Sequence, residues 1–524
     1  MKLGRLILIL YLDLFCLSLF AQENVDHTVI GRIKEEGFQH SQVMETVSWL
    51  SDVYGPRLFA SPGYLEAAEW AKKEMGKWGL QNVSLDTLDG NFRGWSVQSF
   101  SMEMLEPKYT RIVSYPKAWT SSTDGEVSGT PIILSVESRD GIPLLDSLQK
   151  FHGKLTGKIV FVDIGKKVKP SFEAFTTRFP SEELMNAEQQ IDTVPEDYIG
   201  LLNKLNLKEQ LTEDEEYVQR WRRVDQFFID EAAAALVMAS DFTHGILHVD
   251  GTYYAEIGDI KPLPTFIISN EQFNRILRMK DKGITPIVKL HLKTKFYEEK
   301  KYQVNVLAEL PGSDKKLKQE IVMIGAHFDS WHSGTGATDN AVGAAVTMEV
   351  MRILKAVEAK PRRTIRICLW SGEEQAYYGS MDYVGKYVGD VLTGEHKSEQ
   401  SKISAYFNLD NGSGKIRGIY LQGNESVRHI FVQLLAPFAY LSANTLTSQN
   451  TVWTDHTIFD SMNIPAFQFI QDPLNTMTIT HHTNMDVYEY VIEDDLKQNA
   501  VIIASLVYHI ATRNEMLPRK TTKE

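Results

Sequence analysis

Three stretches in the second half of the chain have the composition of buried strands. Residues 321–325, 364–370 and 403–409 are apolar and rich in β-branched or aromatic side chains, as expected for strands of a parallel sheet. Apolar and alanine positions recur at helical spacing from Ala341 to Val357, between the first two strands. This alternation of strand and helix predicts an α/β fold.

Each of these strands ends on side chains that can bind a metal or move a proton. In chain order the strand ends carry His327 with Asp329, Glu373 with Glu374, and Asp410. A loop of small residues places Asp339 just before the helix. In open α/β sheets the carboxyl ends of the strands line the ligand crevice, so these residues mark the candidate site.

The residue types at the strand ends favour a catalytic metal site. Histidine, aspartate and glutamate without cysteine are ligands for zinc or a similar divalent ion. Two ions need a shared ligand, and Asp339 is the central candidate because a carboxylate can bridge with both oxygens. Of the adjacent Glu373 and Glu374, one is expected to bind metal and the other to transfer protons. Asp329 is expected to hold the His327 imidazole tautomer with its carboxylate.

Five motifs in one order resemble the signature of the M28 family of co-catalytic zinc exopeptidases. They are His327-x-Asp329, Thr338-Asp339-Asn340, Ser371-Gly372-Glu373-Glu374, Asn408-Leu409-Asp410-Asn411 and His482-Thr483-x-x-Asp486. The resemblance implies Glu373 as general base, Asp339 as the bridge, and a set of ligands for two Zn²⁺ ions: His327, Asp339, Glu374, Asp410 and His482. His481 is the alternative to His482, which the spacing of the last motif favours.

A further stretch, from Thr454 to Ala466, resembles the Ser-Asp-His segment that precedes an Ile-Pro-Ala strand in this family. The similarity implies that Asp455 and His456 lie near the substrate. The fold it implies is the three-layer α/β/α arrangement of zinc exopeptidases around a mixed sheet. The activity it implies is the release of N-terminal residues from short peptides or dipeptides.

The middle of the chain departs from this pattern. Residues 118–296 contain strand-like runs but no candidate metal acid at a strand end, and they resemble the protease-associated domain that several M28 subgroups carry as an insertion. The layout resembles that of the carboxypeptidase Q subgroup. We therefore predict a discontinuous peptidase domain, residues 22–117 and 297–524, around a mostly-β insert, residues 118–296. Residues 83–109 alternate like strands and are expected to add edge strands to the peptidase sheet.

Two features of the insert have competing interpretations. Residues 181–223 are charged and helix-like, which favours a solvated helical excursion over a flap on the active site or a dimer contact. His244 and His248 have no nearby acid in a ligand pattern, so surface or structural roles are expected for them.

The N-terminal sequence and the net charge limit where the protein is located and what it can bind. Residues 1–21 join a basic start to a short apolar core, which predicts a cleavable signal peptide and a secreted or periplasmic protein without stable membrane insertion. Cys368 lies in an apolar strand and is expected to be an inert core residue. The net charge of −13 argues against a nucleic-acid partner. Peptides are the expected partners, and a homodimer is left open.

Two alternatives come from other functional classes. A non-catalytic binding protein could keep the peptidase fold. Here the sequence has a suitable residue at every ligand position and at the position of the base, which argues against a loss of catalysis. A glutaminyl cyclase resembles M28 peptidases yet uses one zinc ion for an acyl transfer. The sequence has no His-Glu-x-x-His helix, Gly-x-Ser-x-Gly elbow or phosphate-binding glycine loop, which excludes single-zinc metalloprotease, serine hydrolase and nucleotide-dependent functions.

Overall fold

One large mixed sheet, two smaller sheets and a two-stranded ribbon at residues 138–143 organise the chain in a computed structural model that describes residues 22–167, 169, 171–189 and 207–520. The predicted signal peptide, residues 1–21, lies outside the described residues. In chain order the strands are β1 (Gln81–Thr87), β2 (Gly94–Glu106), β3 (Thr110–Arg111), β4 (Ser114–Pro116), β5 (Val127–Gly129), β6 (Ile132–Ser135), β7 (Ser138–Arg139), β8 (Ile142–Pro143), β9 (Ile159–Asp163), β10 (Ala235–Ala239), β11 (Thr265–Ile268), β12 (Ile287–Tyr297), β13 (Val304–Leu310), β14 (Ile321–His327), β15 (Thr364–Trp370), β16 (Ile403–Asn408), β17 (Ile416–Tyr420), β18 (Thr445–Thr447) and β19 (Ala466–Gln471).

The helices alternate with these strands and complete the α/β pattern. In chain order they are α1 (His27–Gln39), α2 (Val43–Ser48), α3 (Pro62–Lys77), α4 (Leu145–Leu148), α5 (Ser181–Glu188), α6 (Leu207–Asp230), α7 (Asn270–Asp281), α8 (Val342–Ala356), α9 (Tyr378–Tyr383), α10 (Arg428–Leu435), α11 (His456–Ser461) and α12 (Glu493–Thr512). Among the described residues, every helix is too short or too polar to traverse a bilayer.

The main sheet runs in the order β1-β13-β15-β14-β16-β19-β17-β18. Its centre, β15-β14-β16-β19, is parallel, whereas β13 pairs antiparallel with β15 and β17 antiparallel with β19. The predicted α/β class with a mixed sheet is therefore confirmed. The parallel centre matters for function because it brings the carboxyl ends of four strands to one edge.

Both faces of this sheet are covered, as the apolar runs predict. In β14, Val322 and Ile324 point into a core shared with α1, α2, α3, α8, α10 and α12. The alternate residues Ile321 and Met323 point into a second core, which α9 and α11 cover. Cys368 is buried in that second core, where burial raises its thiol pKa well above the ordinary value. The sheet is thus the middle layer of three.

The helix boundaries follow local chemistry. The Ser61 side chain accepts a hydrogen bond from the Tyr64 backbone N–H, and Pro62 occupies the first turn, so α3 begins there. Helix α10 is short, and 3₁₀ turns at residues 425–427 and 436–441 flank it. Pro437 explains its end, because proline has no backbone N–H to continue an α-helix.

The middle segment builds its own two sheets. One runs β4-β11-β10-β9-β6 and the other β3-β2-β12-β5, and side chains such as Met102, Phe161 and Leu290 are buried between them. The expected edge-strand role of residues 83–109 holds for β1 and is wrong for β2, which pairs with β12. Because β2, β3 and β4 all pair within the middle segment, we propose 94–297 as the insert in place of 118–296.

Helix α6 differs from the solvated excursion expected for residues 181–223, of which 190–206 lie outside the described residues. Its first residue, Leu207, is buried in the core beneath α9 and α11. Its last turns bury Val224 and Phe228 against the sheet that contains β9 and β10. The helix therefore contacts both the peptidase sheet and the insert, and only its outer side is solvated.

Gly343 lies in the first turn of α8, where there is no room for a side chain. A Cβ at Gly343 would lie 2.3 Å from Asn340 Oδ1 and 2.4 Å from the Leu409 carbonyl oxygen. We expect Gly343→Ala to lower the free energy of unfolding by about 1–3 kcal/mol, measured by urea denaturation, because the added methyl group overpacks this site. Gly76→Ala in α3 is the control, since nothing lies within 4 Å of its Cβ, and it should stabilise by about 0.5–1 kcal/mol. Equal urea midpoints for Gly343→Ala and the wild type would show that the added methyl group does not overpack this site.

Candidate metal centre

The carboxyl edge of the main sheet brings together the side chains that the sequence motifs single out. His327 is the last residue of β14, Glu373 and Glu374 form a 3₁₀ turn after β15, and Asp410 follows β16. Since β15, β14 and β16 are parallel neighbours, the three loops leave the sheet at one place. Asp339 reaches the same place from the turn that precedes α8.

A first group of potential ligands centres on His327. Its Nε2 lies 3.1 Å from Asp339 Oδ1 and 3.2 Å from Asp410 Oδ1. Zinc bonds of about 2.0–2.1 Å in tetrahedral geometry separate neighbouring ligand atoms by about 3.3 Å. The three side chains are thus spaced as ligands of one ion are.

A second group shares Asp339 with the first. His482 Nε2 lies 2.9 Å from Glu374 Oε2 and 3.5 Å from Asp339 Oδ2. Asp339 therefore directs Oδ1 toward the first group and Oδ2 toward the second, as a bridging carboxylate does. Glu374 Oε1 is buried and has no hydrogen-bond partner among the described residues, which leaves it free to bind a cation. The geometry favours His482 over His481 in this group.

The His327 tautomer is set by a backbone carbonyl. Its Nδ1 lies 3.1 Å from the Asp329 carbonyl oxygen, and because a carbonyl only accepts, Nδ1 must donate. Nε2 is then left with its lone pair directed at the two aspartates, which is the form that binds metal. The Asp329 carboxylate, expected to hold this ring, lies 3.8 Å from Nδ1, beyond hydrogen-bond distance.

The Asp329 carboxylate instead holds the turn that carries the two glutamates. Its oxygens accept hydrogen bonds from the backbone N–H groups of Glu373 at 3.2 Å and Glu374 at 3.4 Å. Glu373 is buried beside the first group, and its carboxylate accepts no hydrogen bond from the described residues. Burial raises the pKa of Glu373 well above its ordinary value.

Two residues outside the predicted set fix the loop that carries Asp339. The Asp486 carboxylate accepts hydrogen bonds from the Thr338 N–H at 2.6 Å and from the Asp339 N–H at 3.3 Å, and burial raises its pKa to about 7. The buried Arg57 guanidinium donates to the carbonyl groups of Phe328 at 2.8 Å and Gly336 at 2.9 Å. Asp486 was visible in the His482 motif, whereas no sequence signal marked Arg57, which is some 270 residues away from its partners.

The two residues expected near the substrate have different surroundings. Asp455 is buried and accepts a hydrogen bond from Ser380 Oγ at 2.5 Å, its Oδ2 has no partner among the described residues, and burial raises its pKa to about 8. His456 stays a predicted neighbour of the substrate, and its Nε2 contacts the Gln422 side chain at 2.6 Å and the Thr451 carbonyl at 3.1 Å. That ring is fully buried in the first turn of α11, and burial lowers its pKa to about 3.

The insert reaches this site through a segment the sequence did not mark. The Val249 N–H donates to the His482 carbonyl at 2.9 Å, and the Asn484 N–H donates to the Leu247 carbonyl at 3.1 Å. The intervening His248 stacks on His482, with ring centroids 5.8 Å apart and planes 18° apart. The stacking gives His248 a structural role, one of the two roles expected for it, and His244 is exposed as expected. Sequence pattern could not find this contact, because it joins residues more than 230 positions apart.

Comparisons with known proteins show what the part of the chain that carries this site is similar to. The sequence model of Peptidase family M28 matches residues 305–507, which include every residue of both ligand groups. Residues 305–507 form an M28 peptidase domain. Carboxypeptidase Q of Mus musculus is 23% identical over 483 residues, which cover 92% of this chain and 88% of that protein. An aminopeptidase of Pseudomonas aeruginosa is 33% identical over 126 residues, 24% of this chain and 21% of that protein.

Solved structures of M28 proteins share the fold. A peptidase M28 precursor from Shewanella amazonensis superposes with a TM-score of 0.65 at 21% identity and covers 94% of this chain and 99% of its own. A zinc aminopeptidase from Bacillus subtilis gives a TM-score of 0.54 at 18% identity over 89% of this chain and 93% of its own. The chain therefore shares the fold of these two solved structures.

The hydrogen bonds that Asp486 accepts from the loop of Asp339 can be tested for their effect on metal binding. We expect Asp486→Ala to weaken zinc binding about 10- to 100-fold, because the N–H groups of Thr338 and Asp339 lose their acceptor and the bridging loop can shift. Competition against a chelator of known zinc affinity measures this. Asp124→Ala, at an exposed loop position, is the control and should leave zinc binding unchanged. Wild-type zinc affinity in Asp486→Ala would show that the loop keeps its position without this carboxylate.

Proposed function

We propose that this protein is an exported exopeptidase that uses two zinc ions to hydrolyse the N-terminal peptide bond of short peptides or dipeptides. The observation that carries the proposal is the sharing of Asp339 between two ligand groups, each of which contains one histidine. A site with a single ion needs no carboxylate shared in this way. This argument favours a peptidase with a metal pair over a cyclase with one zinc ion.

The side chains present fit zinc. Both groups consist of imidazole nitrogens and carboxylate oxygens, the donor set of catalytic zinc sites, and the ligand atoms within each group lie within 4.8 Å of one another. His327, Asp339 and Asp410 would hold one ion, and Asp339, Glu374 and His482 the other. Zinc held there would supply Lewis acidity, which polarises the substrate carbonyl and makes water more acidic.

Glu373 is proposed as the general base. Its carboxylate lies beside the ligand groups but belongs to neither, and no described residue donates a hydrogen bond to it. It can take a proton from water as the water oxygen bonds to the peptide carbon, and deliver that proton to the amine nitrogen as the C–N bond breaks. Its burial and the nearby carboxylates raise its pKa, which suits a group that must hold and release a proton.

The proposal that the protein is exported rests only on residues 1–21, a basic start followed by a short apolar core. The peptide substrates follow from the similarity to Peptidase family M28. Asp455, buried with one unpartnered oxygen, stays a proposed neighbour of the substrate.

Substitution of the base separates chemistry from metal binding. Glu373→Gln should keep the zinc content of the wild type and lower kcat on dipeptides and aminoacyl p-nitroanilides by about 10²–10⁴, because an amide cannot accept the proton. Glu69→Gln, at an exposed position of α3, is the control and should have wild-type kinetics. Normal turnover by Glu373→Gln would assign the base to another residue.

The number of zinc ions bound per chain tests whether Asp339 bridges two ions. Asp339→Ala should lose both ions because it removes a ligand from each group, whereas Asp410→Ala should lose one. Elemental analysis after dialysis against a weak chelator gives the number of zinc ions per chain, and the wild type should retain two. One ion per wild-type chain, with cyclisation of N-terminal glutaminyl peptides, would instead support the acyltransferase alternative.

A further inference from the structure

Helix α6 packs against both parts of the chain along one side. Near its start, Leu207 is buried in the core that also contains Tyr377, and Leu211 packs against that core. Near its end, Trp221 and Phe228 pack in a core of the insert. Steps of three and four residues return to the same side of a helix, so these positions form one packed stripe along α6.

Asp214 lies within this stripe, three positions after Leu211 and seven before Trp221. It is partly buried, and its carboxylate forms no ion pair or hydrogen bond with the described part of the chain. Burial and the neighbouring Glu213 raise its pKa to about 6, and no cation acts against that rise. Asp214 is therefore an acid on the packed side of a helix without a compensating positive charge.

The other acid of the stripe has partners within the protein. Burial raises the pKa of Asp225, and Lys117 and the Tyr254 hydroxyl, both nearby, act against the rise. A partly buried carboxylate without such partners costs stability. Asp214 is thus suited to a positive charge that a bound molecule brings.

The path of α6 brings Asp214 close to the proposed metal centre. Helix α6 contacts α11, whose first residue directly follows Asp455. Burial raises the pKa of Tyr377, and the charges of Glu373 and Asp214 raise it further, because Tyr377 is near both carboxylates. The Tyr377 N–H also donates to the Glu373 carbonyl at 3.0 Å. The fully buried Asp455, whose Oδ2 has no partner among the described residues, acts on the same tyrosine.

Two tyrosines, one from each part of the chain, lie near the unpaired acid. Ala376 and Tyr377 both adopt left-handed conformations, with φ of 86° and 61°, although neither is glycine. Such conformations are unfavourable for residues with a Cβ and are concentrated at binding and active sites. On the insert, Tyr253 is partly exposed; burial raises its pKa, and the Asp214 charge adds to the rise.

An unpaired carboxylate beside tyrosine rings is suited to an arginine or lysine side chain. The charged head group can pair with the carboxylate, while the apolar stem and the cation contact aromatic rings. A metal ion is a poorer match, because Asp214 belongs to none of the clusters of potential metal ligands among the described residues. The substrate amino group is also a poorer match, because it is bonded next to the scissile carbonyl. Apart from burial, the charges that most shift the pKa of Glu373 come from the metal centre and Asp455 and not from Asp214.

We propose that Asp214, with Tyr377 and Tyr253 beside it, binds the positively charged side chain of the substrate's N-terminal residue, so that the enzyme prefers peptides that begin with arginine or lysine. This specificity rests on the proposed peptidase function, because the N-terminal peptide bond must lie at the metal centre. A long side chain is needed to reach Asp214 from there, so a short N-terminal residue gains nothing from this acid.

The test compares Arg-Ala with citrulline-Ala, in which a neutral urea group of the same shape replaces the guanidinium. At about pH 8 Asp214 is ionised, because its pKa is about 6. Wild-type kcat/KM should then be about 10- to 100-fold higher for Arg-Ala, since only that substrate offers a charged donor. In Asp214→Asn, kcat/KM for Arg-Ala should fall about 10- to 100-fold, while kinetics on citrulline-Ala and zinc content stay at wild-type values. Asp214→Glu, which keeps the charge, should retain part of the preference.

Glu216→Gln is the matched control, since it removes the same charge from the same helix. Glu216 is exposed and lies two positions after Asp214, on the opposite side of α6, so its substitution should leave the preference unchanged. An equal loss of preference in Glu216→Gln would assign the effect to the overall charge of the helix and would refute the role of Asp214.

The remaining outcomes separate this specificity from the proposed function. If the wild type hydrolyses Arg-Ala and citrulline-Ala equally, or if Asp214→Asn slows both equally, the specificity is refuted while the peptidase function stands. If the wild type hydrolyses neither of these dipeptides nor Leu-Ala, the peptidase function itself is refuted.

Discussion

The structure depends on concentrating negative charge at one edge of a sheet. Asp339, Glu374 and Asp410 converge there with Glu373 beside them, and the two imidazoles in contact with them are too few to neutralise four carboxylates. Buried like charges a few ångströms apart repel strongly, and divalent cations remove that repulsion while using the same oxygens as ligands. The cluster therefore needs either bound cations or protons on its glutamates to be stable, in line with the raised pKa values of Glu373 and Glu374.

Holding this cluster in place takes more of the chain than the ligands themselves. The parallel centre of the sheet sets where the loops begin, but each loop then needs its own support. Asp329 accepts from the glutamate turn, Asp486 accepts from the Asp339 loop, and Arg57 donates to carbonyl groups on both sides of that loop. These contacts satisfy backbone groups that would otherwise be buried without partners, which is why loops without regular structure can be rigid enough to position ligands.

The sequence predicted the parts of this arrangement that are local. Apolar runs ending on acids located β14, β15 and β16 closely, because burial in a sheet leaves a short-range signal in the sequence. Contacts between distant segments leave no such signal. Hence Arg57 and the stacking of His248 on His482 were not predicted, and β2 was assigned to the wrong sheet. The contacts of His456 were not predicted either, because a motif fixes neighbours in sequence, and the direction of a side chain depends on packing.

The pairing of residues 247–249 with residues 482–484 changes how the insert should be understood. An inserted domain joined only through its two ends would leave the metal centre complete without it. Here its backbone donates to the carbonyl of His482 and its His248 ring covers one face of that ligand. Because Leu207 of α6 is also buried against the peptidase core, and Arg178 pairs with Asp472 and Asp495, the insert is fixed to the peptidase part of the chain at several separated places. Any displacement of the insert must then move a proposed zinc ligand, so the geometry of hydrolysis and the position of the insert are mechanically coupled.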